Sequence, residues 1–283
     1  MPVSSKEWVL KIRPEKSLLS LDFKALWRYR DLLSLFVKRD FVSLYKQTIL
    51  GPIWVLLQPL LTTATYIIIF EKFAKISTNG LPGILFYMSG IVLWSYYSDC
   101  LSKTSETFTS NENIFGKVYF PRLIVPLSIV VSNLVRFGIQ LLLLVLIWFY
   151  FYLKGTPLHF HSSLFLFPVL VLLMGGHGLA LGIIISSLTT KYRDLKFLVQ
   201  FGIQLLMYAS PVVYPLSSVP DKYKWIMLLN PMTSIIETFK YGFLGVGEYR
   251  PDFLWINFLF LILISFIGLV LFSKTEKNFM DTV

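Results

Sequence analysis

The sequence predicts an all-α integral membrane protein with six transmembrane helices, an N-terminal amphipathic helix and short helices on the outer side. Three observations carry that expectation. The 283 residues are 55% hydrophobic and 17% aromatic but only 15% charged, against about 25% charged in soluble domains. Mean hydropathy is +0.66. Six stretches almost free of acidic and basic residues are long enough to cross a bilayer, which takes roughly 20 apolar residues. Runs such as Leu141–Leu146 do not alternate as the strands of a membrane barrel must. So apolar a chain is neither disordered nor an ordinary soluble enzyme. One cysteine, Cys100, excludes internal disulfides and cysteine-rich metal sites.

The six windows are Gln47–Phe70, Ile76–Ser98, Leu123–Leu153, Gly155–Thr190, Phe197–Pro220 and Phe253–Ser273, with Arg136 the one interruption. In hydrocarbon every backbone polar group must be satisfied internally, so each window is expected to be a helix. The N-terminal thirty residues are basic, but no apolar core with a small-residue cleavage site follows, so no cleavable leader is expected. With the N-terminus inside, 18 lysines and arginines fall on cytoplasmic segments and seven outside. The positive-inside rule therefore places both termini in the cytoplasm. By the same reasoning the net charge of +10 is topology, and no nucleic-acid partner is expected.

The expected organisation is a cytoplasmic segment over residues 1–48, a membrane domain over 49–275 and a short cytoplasmic tail over 276–283. Within the first segment, Phe23, Leu26, Trp27, Leu33, Phe36, Val37, Phe41 and Leu44 recur at helical spacing, with Lys24, Arg28, Lys38 and Arg39 elsewhere. That pattern suits a helix lying on the inner leaflet, or one packed on protein. Gly51-Pro52 turns the chain into the first span. The inner loop at 99–122 is polar and rich in helix-capping residues. It reads either as a short docking helix or as a solvated loop. Outside, Trp225–Ile236 is apolar but too short to span, and Asn230-Pro231 divides it. Such a segment is re-entrant or interfacial, as a cap over a passage or as a surface hairpin.

Catalytic and metal chemistry find little support. A P-loop needs two glycines at fixed spacing before Lys-Ser/Thr, and Gly116-Lys117 is followed by Val118 and preceded at the first position by Asn111. His159 and His161 lack nearby carboxylates, so no metal centre is expected; His177 reads as a packed or pore-facing polar residue. Glu71, Asp99 and Asp194 all fall near span ends, which leaves no intramembrane carboxylate relay. Arg136 is the one charge deep in a window. Ser128, Ser132, Arg136 and Gln140 form a stripe at four-residue spacing, with Asn133 beside it. Such a stripe faces other helices or a hydrated path, as structural glue or as a contact for an anionic group. Trp148–Tyr152 reads as an interfacial aromatic belt. Tyr87, Trp94 and Tyr97 share one face at greater depth. They fit a sugar-stacking path or plain core packing.

Four motifs in order resemble ABC-2 type polysaccharide-export permeases. They are Tyr45-Lys46-Gln47-Thr48-Ile49-Leu50-Gly51-Pro52 with Trp54 and Gln58-Pro59, then Lys117-Val118-Tyr119-Phe120-Pro121-Arg122, then Ser210-Pro211-Val212-Val213-Tyr214-Pro215, then Asn230-Pro231. The likeness covers essentially the whole chain and is nearest to O-antigen, capsule and teichoic-acid exporters. It implies a homodimer of six-span permeases in a bacterial inner membrane, bound to two copies of a nucleotide-binding ATPase. ATP and magnesium would sit on that partner, and this chain would hold no cofactor and catalyse nothing alone. The implied cargo is an undecaprenyl-diphosphate-linked polysaccharide, O-antigen first among the candidates. By the same resemblance, 21–46 is the interface helix and Glu112, Asn113, Phe115 and Lys117 form the ATPase-coupling part of the 103–122 loop. Trp225, Asn230 and Pro231 belong to an external gate over about 215–250.

Two other classes compete with transport. An intramembrane glycosyl- or acyltransferase would need a catalytic acid beside a cation. Asp194 with Arg193 and Glu237 with Lys240 are the candidates, and both read more simply as loop ion pairs. A non-catalytic scaffold would have no need of a deep polar stripe.

Overall fold

The computed structural model describes residues 23–46, 49–118, 120–192 and 194–282. Residues 1–22 of the expected cytoplasmic segment, with Gln47, Thr48, Tyr119 and Arg193 of the motifs, lie outside the described residues. So do the side chains of Phe23, Lys24, Leu44 and Tyr45 and those of the tail from 277 onward. All regular structure among the described residues is helical.

The amphipathic segment forms α1 (Phe23–Arg28) and α2 (Arg30–Tyr45). Phe36 is buried, whereas Trp27, Leu35 and Val42 are exposed. Helix α2 packs against a later helix, which supports the reading of a helix packed on protein. One side rests on protein, and apolar groups remain open on another.

Helix α3 (Ile53–Tyr66) runs on as a wider π-helical segment, Ile67–Phe73. The second window starts late and ends late. Lys75 and Asn79 take positive φ, and α4 (Gly83–Ser105) carries the helix seven residues past Ser98. Asp99 and Lys103 are therefore helical, not part of the inner loop. That loop shrinks to two helical turns, α5 (Thr107–Ser110) and α6 (Glu112–Phe115). Next come α7 (Ile124–Leu153) and, after a 3-10 turn, α8 (Phe167–Thr189).

The fifth window departs most from expectation. Helix α9 (Leu195–Tyr208) has 14 residues, about 21 Å at 1.5 Å each, short of a hydrocarbon core of about 30 Å. Pro211 explains the stop. It has no N–H to donate, its ring opposes the carbonyl four residues back, and it disfavours helix at Ser210. The chain then runs without helix through Val212 and Val213, both buried. Such backbone is tolerated at membrane depth only when covered by protein. Gly90 of α4 provides the cover, since a β-carbon there would lie 3.0 Å from Val212 Cα. The outer hairpin follows as α10 (Asp221–Leu229) and α11 (Pro231–Leu244), and α12 (Pro251–Thr282) closes the chain.

Among the described residues, four stretches are long and apolar enough to cross a membrane: Ile53–Phe73, Ile124–Leu153, Ser162–Thr189 and Pro251–Glu276. Helix α4 is the buried centre of the bundle, packed on α8, α7 and α3, with α12 on the far side of α8. Small residues make the α4–α8 approach close. A β-carbon on Gly178 would meet the Cys100 side chain at 2.6 Å, and one on Gly182 would meet Thr104 at 2.5 Å. Without water to drive apolar faces together, packing of this kind is a main source of helix association in lipid. A separate inner cluster gathers Phe36, Phe108, Phe115, Phe120 and Phe272, with Phe108 and Phe272 ring centroids 4.8 Å apart.

Candidate functional site

The predicted polar stripe on α7 divides into separate jobs. Ser128 returns its hydroxyl to the Val125 carbonyl at 2.7 Å, while the Ser132 oxygen is buried without a partner. Gln140 repairs a defect in another helix. Pro59 lies inside α3, and a proline there leaves the carbonyl four residues earlier, Val55 O, without its usual donor. The Gln140 amide donates to that oxygen at 3.2 Å.

Arg136 meets a partner the sequence reading had set aside. Because α4 continues past Ser98, Asp99 points across to α7, and Arg136 Nη1 donates to its Oδ2 at 2.9 Å. One turn further in, Lys103 Nζ donates to Asn133 Oδ1 at 2.9 Å. Two pairs at helical spacing, Asp99 with Lys103 and Asn133 with Arg136, thus face each other between α4 and α7. The charge-free windows concealed this by ending the second span at its first charge. Beside the ion pair lies a cavity of about 90 Å³ whose walls include Gln58, Trp94, Ser95, Asp99, Arg136 and Gln140. The Arg136 Nε is buried with no partner.

The three aromatic candidates do not form a continuous exposed face. Tyr87 and Tyr97 are fully buried and Trp94 nearly so. Tyr87 packs edge-on against Phe86 and Tyr66, and Trp94 against Tyr97. Among them only Trp94 borders the cavity. At the C-terminal end of α7, Phe149, Tyr150 and Tyr152 are exposed, while Trp148 turns inward onto Phe160.

At the outer end, Asn230 is a junction. Its Oδ1 caps α11 by accepting from Met232 N at 3.0 Å, and its Nδ2 donates to Leu206 O and Ala209 O at 3.2 and 3.1 Å. These carbonyls lie at the C-terminal end of α9, where helices leave acceptors orphaned. Pro231 takes the first helical position, where a missing N–H does no harm. Trp225 on α10 is 61% exposed.

The Glu237–Lys240 reading as a loop ion pair needs correction. Both residues lie on α11 and are buried, and no ion pair within 4.0 Å joins them. Lys240 Nζ instead donates to Pro211 O at 2.7 Å and sits 3.5 Å from the Phe86 ring centroid. Burial lowers the Lys240 ammonium to about 7 against the opposing pull of Glu237. Burial likewise raises the Glu237 carboxyl, which accepts from Glu248 N at 3.0 Å. Sequence missed this because a lysine and a glutamate three apart look like a solvated helix face.

In the 103–122 loop, Glu112, Asn113 and Lys117 are exposed. Phe115 differs. Its ring is buried in the inner aromatic cluster with Arg122 over it, 5.4 Å from the centroid. Arg122 Nη1 donates to Glu276 O of α12 at 2.9 Å, and Lys196 of α9 pairs with Glu106 at 2.9 Å. The two exposed turns thus stand on anchors reaching α9 and α12. Among the described residues no cluster of His, Cys, Asp and Glu of metal-holding size occurs.

A model of the ABC-2 type transporter family matches residues 31–244. The chain is 26% identical over 251 residues to the O-antigen export system permease protein RfbA of Klebsiella pneumoniae, covering 89% of this chain and 94% of that one. It is 30% identical over 219 residues to RfbA of Myxococcus xanthus, covering 77% and 82%. Similarity extends to the polysialic acid transport protein KpsM of Escherichia coli, 22% identical over 246 residues, covering 82% and 89%.

Proposed function

Because the chain belongs to the ABC-2 type transporter family, we propose that it is the permease subunit of a polysaccharide exporter, with O-antigen as its cargo. The observation that carries this reading is the likeness to two O-antigen export permeases at 26–30% identity over 77–89% of this chain. The cargo enters as a polymer on a lipid diphosphate from the cytoplasmic side. Six crossings carry it, by α3, α4, α7, α8, α9 and α12, with α9 completed by its buried non-helical continuation.

This chain contains no P-loop, so its energy comes from a separate nucleotide-binding subunit that holds ATP and magnesium. Two permeases and two such subunits make the working unit, and the permease performs no catalysis alone. The exposed Glu112, Asn113 and Lys117 are the docking contacts, while buried Phe115 holds the turn in place from behind. Both termini lie in the cytoplasm, and α10 with α11 forms the outer gate. The likeness to KpsM favours a second reading, transport of a capsular polymer.

Depletion of the chain in its own host tests the proposal. The expected outcome is loss of surface O-antigen with lipid-linked polymer accumulating inside the inner membrane, reversed by a plasmid copy. Loss of an acidic capsule instead selects the second reading, and unchanged surface glycan rejects both.

A further inference from the structure

We propose that the cavity beside the Asp99–Arg136 pair is a binding pocket for one sugar unit, recognised through a pair of vicinal hydroxyls. The inference rests on the exporter reading and adds a site and a recognition chemistry to it. Four features of the pocket lead there.

Its polar groups are balanced. Asp99 offers carboxylate oxygens and Arg136 offers N–H groups from one ion pair 2.9 Å across. A vicinal diol fits such a pair, because one hydroxyl donates to the carboxylate while its neighbour accepts from the guanidinium. A spare donor is already in place, since Arg136 Nε is buried without a partner. Buried polar atoms are rarely left so, and ionisable groups in membrane segments mark substrate paths by default.

An apolar wall accompanies the polar one. Trp94 borders the cavity together with Pro59, Ile91 and Met207, and an indole ring suits the C–H face of a pyranose ring. Ligand sites combine such walls with a few placed polar groups. The volume of about 90 Å³ admits several waters or one edge of a sugar ring. Polymer held by one edge at a time slides past, whereas a fully enclosed unit would not.

Charge argues against a phosphate in the same place. Arg136 is already neutralised by Asp99, whose carboxylate would face an incoming anion. An anion would also offer the Asp99 carboxylate no donor beyond Arg136. The outer ionisable cluster has no such room: Lys240 is spent on the Pro211 carbonyl and the Phe86 ring.

The test uses the purified full-length permease in lipid nanodiscs and saturation-transfer NMR with methyl α-D-mannoside, methyl β-D-galactoside and methyl α-L-rhamnoside. At least one glycoside should give a saturable signal, and its permethylated form should give none. The double variant Asp99→Asn/Arg136→Gln keeps a neutral hydrogen-bonded pair and so protects folding; its signal should fall about tenfold, as when a site built for hydroxyls loses its partners. Ser95→Leu fills the cavity without touching the pair and should do the same. No signal from any glycoside, an equal signal from wild type and both variants, or displacement by inorganic diphosphate would overturn the pocket. Plasmid rescue of export by the wild-type chain is scored alongside. Rescue without glycoside binding sinks only this pocket; glycoside binding without rescue sinks the exporter reading and leaves the pocket standing.

Discussion

Two clusters of charge lie away from bulk water in this protein, and they are satisfied in opposite ways. At the inner cluster, Arg136 of α7 pairs directly with Asp99 of α4 and a cavity remains beside them. At the outer one, Lys240 and Glu237 share a helix but turn to different backbone groups, the Pro211 carbonyl and the Glu248 amide. The first arrangement leaves donor and acceptor capacity facing a space. The second consumes its capacity in holding three non-neighbouring segments together. Buried charge alone therefore does not mark a path for cargo; charge with unfilled hydrogen-bonding room does.

The strongest way to break that comparison is to unpair the inner cluster. Replacing Arg136 with methionine takes from half-buried Asp99 its hydrogen-bonded partner and leaves it only the neighbouring charge of Lys103. Removing one partner of a fully buried pair costs about 3–5 kcal/mol, and the partial exposure of Asp99 together with Lys103 beside it puts this case below that range. A melting temperature well below wild type is expected for purified Arg136→Met, largely regained in Asp99→Asn/Arg136→Gln. If the single variant melts like wild type, the pair contributes nothing to the fold.

The outer cluster should respond to pH. Lysine ordinarily titrates at 10.5, and burial brings Lys240 to about 7. In that window the unfolded chain binds more protons than the folded one, so stability rises as pH goes from about 7 toward 10.5 and is lost as pH falls through 7. Glu237 works the other way at lower pH. Its raised carboxyl favours the fold below the ordinary glutamate range, and that contribution is lost as pH rises through its folded value. Lys240→Met should flatten the alkaline limb of a melting-temperature profile and leave the acidic limb. It also orphans the Pro211 carbonyl, a loss of about 2 kcal/mol. An alkaline limb that survives in the variant would show that another group titrates there.

The contrast between clusters also marks what the sequence could disclose. Helix α7 was legible from one window because its apolar run contains a single charge, and α12 because its run is unbroken. The charge-free window of α4 is cut at Asp99, although the helix continues to Ser105. With that cut went the partner of Arg136. The fifth window failed for the reverse reason. Nothing charged interrupts it, so Pro211 was read through. Proline chemistry at Ser210-Pro211 was the available signal. The role of Lys240 had no local signal at all, since its acceptor is a backbone carbonyl 29 positions away. Asn230 was visible as a turn, but its bonds to α9 depend on tertiary approach.

The smallest effect is the sharpest test of how the inner helices were matched. Pro59 deprives Val55 O of a donor, and Gln140 supplies one from α7. Gln140→Leu should cost about 1 kcal/mol, at the low end for a stranded buried acceptor. Alanine at position 59 restores an N–H four residues after Val55 and so removes the need for Gln140. The Pro59→Ala/Gln140→Leu double variant should therefore melt above Gln140→Leu alone, and the two changes should be clearly non-additive. Additive losses would mean that Gln140 acts through packing or through the neighbouring cavity. Rescue would establish that one residue of the polar stripe is structural, which leaves Arg136 as the residue of the stripe set against a space it does not fill.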